Sequence, residues 1–430
     1  MRLKNTVPLH SDETTASFVS RLAFASGVPT VADLLLDAEV TMAQFLKGER
    51  EAFEALEELS GVATDDLMQQ AFILVEPHVY ESFDHRIGQQ HLLRGESRIC
   101  PACFRQDTRS QVTSDTMVLS YGRALWAIAS ARVCPIHKLA LVSAPEASVK
   151  HEFVDTWTPW MFEIAEGELD QAIDEGGMYE EHAALRLAGE MPEGWARHFP
   201  LGALGAICEI LGVSQTHGKA ASLREVSTAD LAKAMSKGFR LINAGPTKIT
   251  AYFEHLRCAS GKPQDRPQAR YSRIYDWLKR GAGHGPDFEP LRNILRQHIL
   301  NTWPLGVGEQ ALDYTLEDRR LHSIRTASKK HNLHPKRLRR ILMDAQIIPE
   351  TDLPDFEVVF DADTAKDVLE QASGSVAFSE AQKRLGLTRS QLDTLIKAEI
   401  LEPGEGGDQA RPRFTEATVQ YWLDYVASFP

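Results

Sequence analysis

The chain reads as mainly α-helical and multidomain, and three observations predict that class. Apolar residues recur at helical spacing over most of the 430 residues, with Pro and Gly as punctuation. Two Cys-containing doublets, each with a two-residue gap, lie thirty residues apart. A segment towards the C-terminal end repeats itself at an offset of 54. A composition of 43% hydrophobic and 25% charged residues supports folded cores and excludes disorder as the dominant state. The length allows roughly two to four domains. Pattern changes place their boundaries at residues 1–145, 146–310, 311–372 and 373–430.

The first region opens with an amphipathic helix from about Glu13 to Ala25, in which Phe18, Leu22 and Ala25 recur on one face. Short helices are expected to follow, separated at Gly48, Gly61 and Gly88, with Thr64-Asp65-Asp66 as a helix start. The second region is helical, interrupted at Pro192, Pro200, Pro246, the polar stretch Ser260 to Gln268 and the turn Gly281 to Pro286. It shows no paired carboxylates beside a nucleophile, no Gly-rich phosphate loop and no Ser-His-Asp order, so the chain is not expected to be an enzyme. The richest apolar runs, Leu201 to Val213 and Ala124 to Val133, fall short of the about 18 residues a span requires, and no apolar run follows Arg2 and Lys4. A cytoplasmic protein without a membrane partner is the expectation.

Cys100-Pro101-Ala102-Cys103 and Cys134-Pro135-Ile136-His137 form the doublets. Two thiolates on one tight turn can take adjacent corners of a tetrahedron, and the second doublet closes it with one sulfur and one imidazole nitrogen. That donor set suits one structural Zn²⁺ in a zinc-ribbon-like module, with no open position for catalytic water. Cys208 is expected in the core, and Cys258 has no assigned role.

The formal net charge of −13 argues against nucleic acid on average, but the charge is segregated. Between Arg319 and Arg340 stand Arg319, Arg320, Arg325, Lys329, Lys330, Lys336, Arg337, Arg339 and Arg340, with no acid. The stretch Glu163 to Glu181 is acidic without one base, and reads either as a solvated segment or as a docking surface for something cationic. A weaker basic stretch runs from Arg257 to Arg280.

The repeat aligns Ala327 with Ala381, Asn332 with Gly386, Leu333 with Leu387 and Leu338 with Leu392. Each copy supplies a small residue at a helix crossing, a turn residue that tolerates positive φ, and an apolar seam on the following helix. Each is therefore expected to be a helix-turn-helix unit, winged-helix-like, with a short hairpin between its second and third helices. In the first copy Pro335 opens the second helix, Leu338, Ile341 and Leu342 face inward, and Lys336, Arg337, Arg339 and Arg340 are left to face solvent or double-stranded DNA. Arg325, Lys329 and Lys330 join them as candidate contacts. In the second, Thr388 and Gln391 form a capping box, and Arg389, Ser390, Gln391 and Lys397 are the candidates.

The order of these features resembles the TniQ family of transposition accessory proteins, the group that includes the target-site selector TnsD. The resemblance rests on Pro8 through Ala23, with the family's opening of Pro, an acidic residue, Ser and then Arg21-Leu22-Ala23. It continues through Arg98-Ile99 and both doublets, then Trp126, Leu139 and Leu141, and further on Tyr271 to Leu278, Leu291-Arg292 and Trp303-Pro304. Where many relatives carry a further Cys-Pro-x-Cys, Leu141 to Ala147 has no cysteine, so one ion is expected. The resemblance implies a DNA-binding target-selection adaptor that recruits an ATPase regulator and a transposase. It equally leaves open an adaptor that docks, as a homodimer, on an RNA-guided CRISPR ribonucleoprotein complex. A zinc-containing transcription regulator is the third reading.

Overall fold

The structure, a computed structural model, describes residues 2–144, 151–259, 265–403 and 412–428. It is mostly helical and divides into two units, one of residues 1–259 and 268–295 and the other of 260–267 and 296–430.

The first unit begins with five helices, Thr15–Ser26, Val31–Asp37, Met42–Lys47, Arg50–Ser60 and Thr64–Gln69. The opening helix starts where Thr14 accepts the Ser17 N–H and stops at Gly27. Phe18, Leu22, Val31, Leu35, Phe53 and Leu56 meet in the core these helices enclose. The helices expected beyond Gln69 give way to strands. Ile73–Glu76, Val79–Ser82 and His85–Gly88 form a three-stranded antiparallel sheet, with Tyr80 opposite both Leu74 and Ile87. Their apolar positions were too few and too short to separate alternation from helical spacing.

The later part of this unit is a helical layer that includes Met178–Leu187, Leu201–His217, Thr228–Asn243 and Pro246–Cys258. Leu201–His217 and Thr228–Asn243 pack backbone to backbone. A Cβ on Gly212 would come within 2.0 Å of the Ala234 carbonyl oxygen, and one on Gly238 within 2.1 Å of the Cys208 carbonyl oxygen. Cys208 is fully buried in that seam, as a core residue should be. No single helix among the described residues is long and apolar enough to cross a membrane.

The second unit holds the two sequence repeats, each as strand, helix, turn, helix, strand, helix. The first comprises Leu321–Ser323, Ile324–His331, Pro335–Asp344, Val359–Asp361 and Lys366–Ser373; the second comprises Ser375–Ala377, Phe378–Leu385, Arg389–Lys397, Arg413–Thr415 and Glu416–Ala427. The hairpin expected between the second and third helices is absent from the described residues. Instead the strand after the second helix pairs with one that precedes the first, His322 opposite Phe360 in one copy and Val376 opposite Phe414 in the other. These positions keep the offset of 54.

Candidate metal centre and cationic repeat

Cys100 is the N-cap of the helix Pro101–Asp107, and Pro101 sits where its missing N–H costs nothing. That places the Cys103 sulfur one turn inside the helix, facing the second doublet. Cys103 Sγ lies 3.6 Å from Cys134 Sγ and 3.3 Å from His137 Nδ1, and Nδ1 lies 3.7 Å from both Cys100 Sγ and Cys134 Sγ. A tetrahedral ion with bonds of about 2.3 Å to sulfur and about 2.0 Å to nitrogen separates its ligand atoms by about 3.5–3.8 Å. The donor set and its edges fit one such ion. The cysteines are buried, all four ligand atoms fall within 4.8 Å of one another, and no other such cluster occurs among the described residues. Hydrogen bonding to Cys100 and Cys134, with burial, pushes the Cys103 thiol far above its ordinary range. A cation at the centre would let all three sulfurs carry charge together.

The doublets are held by residues that the motif alone did not reveal. The strand Arg98–Ile99 pairs with Val142–Ser143 beside the site. Buried Arg98 donates to the carbonyls of Trp126, Ile128 and Ala131, which fixes the loop that leads to Cys134. Burial lowers its pKa to about 10, and its donors are met by carbonyls. On the other side stands the acidic stretch. Fully buried Glu180 accepts the N–H of Arg132 at 2.8 Å and of Val133 at 3.2 Å, and Arg132 pairs with Glu209 at 2.6 Å. Asp170 pairs with Arg105 at 2.6 Å and Glu181 with Lys138. Backbone bonds from Ala140 to Gln171 and from Ile173 to Lys138 complete the clamp. Part of the acidic segment is thus a docking surface for the metal module of the same chain.

The opening motif has a similar role. Glu13, Ser17 and Arg21, at four-residue spacing, form a buried network in which Arg21 meets Glu13 at 2.7 Å and Ser17 Oγ donates to Glu13 at 2.9 Å. Arg21 also donates to the Val118 carbonyl, and Ser17 Oγ accepts from the Gly122 N–H. Burial lifts the Glu13 pKa to about 7 against the pull of Arg21. The spacing was the available signal for this tie.

In the first repeat Ala327 and Leu338 are fully buried, Asn332 adopts φ 51° and ψ 42°, and Pro335 is the first residue of the second helix. Arg325, Lys329, Lys330, Lys336 and Arg340 are exposed, with no carboxylate against them among the described residues. Arg337 and Arg339 depart from the expected outward orientation. Arg337 donates to the Ala372 carbonyl in the last helix of its own repeat, and at 2.6 Å to Ser375 Oγ at the start of the second. Arg413, from the second repeat itself, holds the same Ser375, so Arg337 ties the first copy to a residue already anchored in the second. Arg339 pairs with Asp355 at 2.9 Å and donates to the carbonyls of Thr351 and Leu353. A hydrogen bond to a charged group contributes about 1.5–3 kcal/mol. A bidentate base contact supplies about 1–3 kcal/mol of discrimination, so turning either arginine outward gains little. The amphipathic pattern of the helix marked both as surface and could not show the loop or strand folding back over them.

In the second repeat Arg389, Ser390, Gln391 and Lys397 are exposed, but two are engaged locally. Gln391 Oε1 accepts from Thr388 in the expected capping box, and Arg389 lies 3.9 Å from Asp393. Much of the weaker basic stretch is engaged in contacts within the chain, in part at its surface. Arg257 pairs with Glu254, Arg266 with Glu309 and Arg280 with Asp276, Arg273 donates to Ala220, and Lys262 lies outside the described residues. Cys258 is exposed beside Glu254.

No curated protein matches the chain. Residues 5–141 match the TniQ family. That span begins just before the Glu13–Arg21 network and ends just beyond the second doublet. Residues 5–141 therefore carry a TniQ domain, which indicates a transposition-associated accessory protein.

Proposed function

We propose that the protein is a non-enzymatic, cytoplasmic target-selection adaptor, in which one structural zinc ion holds the TniQ domain and the first repeat engages duplex DNA. The TniQ domain would then recruit an ATPase regulator and a transposase to that DNA. The observation that carries the DNA reading is the set Arg325, Lys329, Lys330, Lys336 and Arg340, exposed and unopposed by carboxylate on a chain of net charge −13. Three are lysines and the two neighbouring arginines are turned inward, so phosphate contact dominates over base reading. Duplex affinity is expected to fall with salt, and replacing Lys336 and Arg340 together by Ala should flatten the log–log slope by about two. An unchanged affinity and slope would overturn direct phosphate contact.

A second reading has the C-terminal region grip a CRISPR ribonucleoprotein complex as a homodimer, with protein as the principal surface. The second repeat favours it, because Tyr421 is 64% exposed there and Arg384 is paired with Glu416. Stable co-purification with such a complex, together with indifference to naked duplex, would decide for it.

A further inference from the structure

A recess of about 700 Å³ in the first unit is no part of the metal centre or of the cationic repeat. Phe45, Phe72, Tyr80, Trp126 and Phe153 line it, and its volume falls within the range of about 300–1,000 Å³ that accommodates a drug-sized ligand. The apolar wall continues to the surface. Leu74 stands opposite Tyr80 across the strand pair, so the two share a face, and Phe72, two residues back along the strand direction, lies on that face too. Leu74 is 47% exposed, and Leu46, which also lines the recess, is 40% exposed.

Among the charged groups on the wall, one has neither a hydrogen bond nor an ion pair among the described residues. Glu152 is committed to the Val31 N–H and Glu96 to Ser143. Arg123 is matched by Asp107 and Asp12. Arg98 is buried with its donors on carbonyls. Arg94, at the exposed rim, lies over the Tyr80 ring at 4.9 Å and meets no carboxylate among the described residues. An apolar wall that reaches the surface beside an uncommitted guanidinium suits a side chain with an acidic neighbour.

The geometry points to a docking site for a short acidic segment of a partner protein, which inserts a large apolar side chain among Phe45, Phe72 and Tyr80 and sets a carboxylate against Arg94. This site stands apart from the DNA reading, since it lies in the other unit and uses none of the repeat's cations.

The test uses the full, metal-loaded chain and two sets of fluorescein-labelled peptides about ten residues long. Both sets carry one Leu, Phe or Trp in a Gly/Ser background, flanked by Asp in one set and by Lys in the other. The Asp-flanked set should bind at least about tenfold more tightly than the Lys-flanked set. Arg94→Glu should abolish or reverse that preference, and Leu74→Asp should weaken every peptide. Both positions are exposed, so folding should be preserved, and duplex binding by the same variants should not change. Saturation by neither set, equal binding of both sets, or a preference that survives Arg94→Glu would overturn the proposal. Loss of duplex binding in the wild-type chain would leave it standing.

Discussion

The two C-terminal repeats have the same skeleton and different surfaces. Ala327 and Ala381 are fully buried, as are Leu338 and Leu392, while Asn332 and Gly386 both turn the chain at positive φ. At the same offset the exposed cations disappear. Arg325 becomes Ser379, Lys336 becomes Ser390, Arg340 becomes Thr394, and Lys330 becomes Arg384, which Glu416 neutralises. Lys329 keeps a cationic counterpart, Lys383, which meets no carboxylate among the described residues. One packing code therefore supports two electrostatic outcomes, and fold resemblance alone would have assigned DNA contact to both.

The largest effect asks whether either repeat depends on the metal module. Chelation should release on the order of 10 kcal/mol or more of local folding free energy around residues 98–141. Limited proteolysis mapped by mass should show new cleavage there and through the clamp at residues 170–181, with both repeats still resistant. Cleavage within the repeats at the same chelator concentration would break their claim to self-sufficiency.

Next comes the shared core. Leu338→Ala and Leu392→Ala should each destabilise their own repeat by about 2–5 kcal/mol, read from denaturant midpoints, because each opens a cavity at the same fully buried position. A cost at one position and none at the other would contradict the shared skeleton.

A third difference is a titrating group. His322 pairs with Phe360 where the second repeat has Val376 with Phe414. Burial first, then the charges of Arg319, Lys330 and His331, hold the His322 pKa at about 4, below its ordinary 6.5. Between those values the folded state binds fewer protons than the unfolded one. Stability of the first repeat should therefore be complete above about pH 6.5 and decline as pH falls towards 4. His322→Val should flatten that decline, and thermal unfolding across pH 4–7 would show it.

The smallest effect on stability is the most informative about function. Ser379→Arg, Ser390→Lys and Thr394→Arg should each change stability by no more than about 0.5 kcal/mol, as surface substitutions do. Together they should steepen the salt dependence of duplex binding if the second repeat sits on the duplex. An unaltered slope would confine contact to the first.

Sequence patterns foretold the parts of the molecule governed by local rules. Ligand spacing picked out four residues that the fold brings together as one possible metal site, and the offset of 54 located both turns and both seams, because caps, turns and helical periodicity act within a few residues. Partners brought together by the tertiary fold left no local trace. Glu180 reaches the Arg132 and Val133 amides from a distant helix, Arg98 meets carbonyls some thirty residues on, and Arg337 closes onto Ser375. The sheet at residues 73–88 was missed for a related reason, since four-residue strands carry too little alternation to overrule a helical neighbourhood.

Hydrogen–deuterium exchange of the full chain with and without a duplex is the most direct test of the division between the repeats. Binding should slow exchange across residues 324–340 more than across residues 378–397. Equal protection of the two segments, or none in the first, would contradict the assignment of DNA contact to the first repeat.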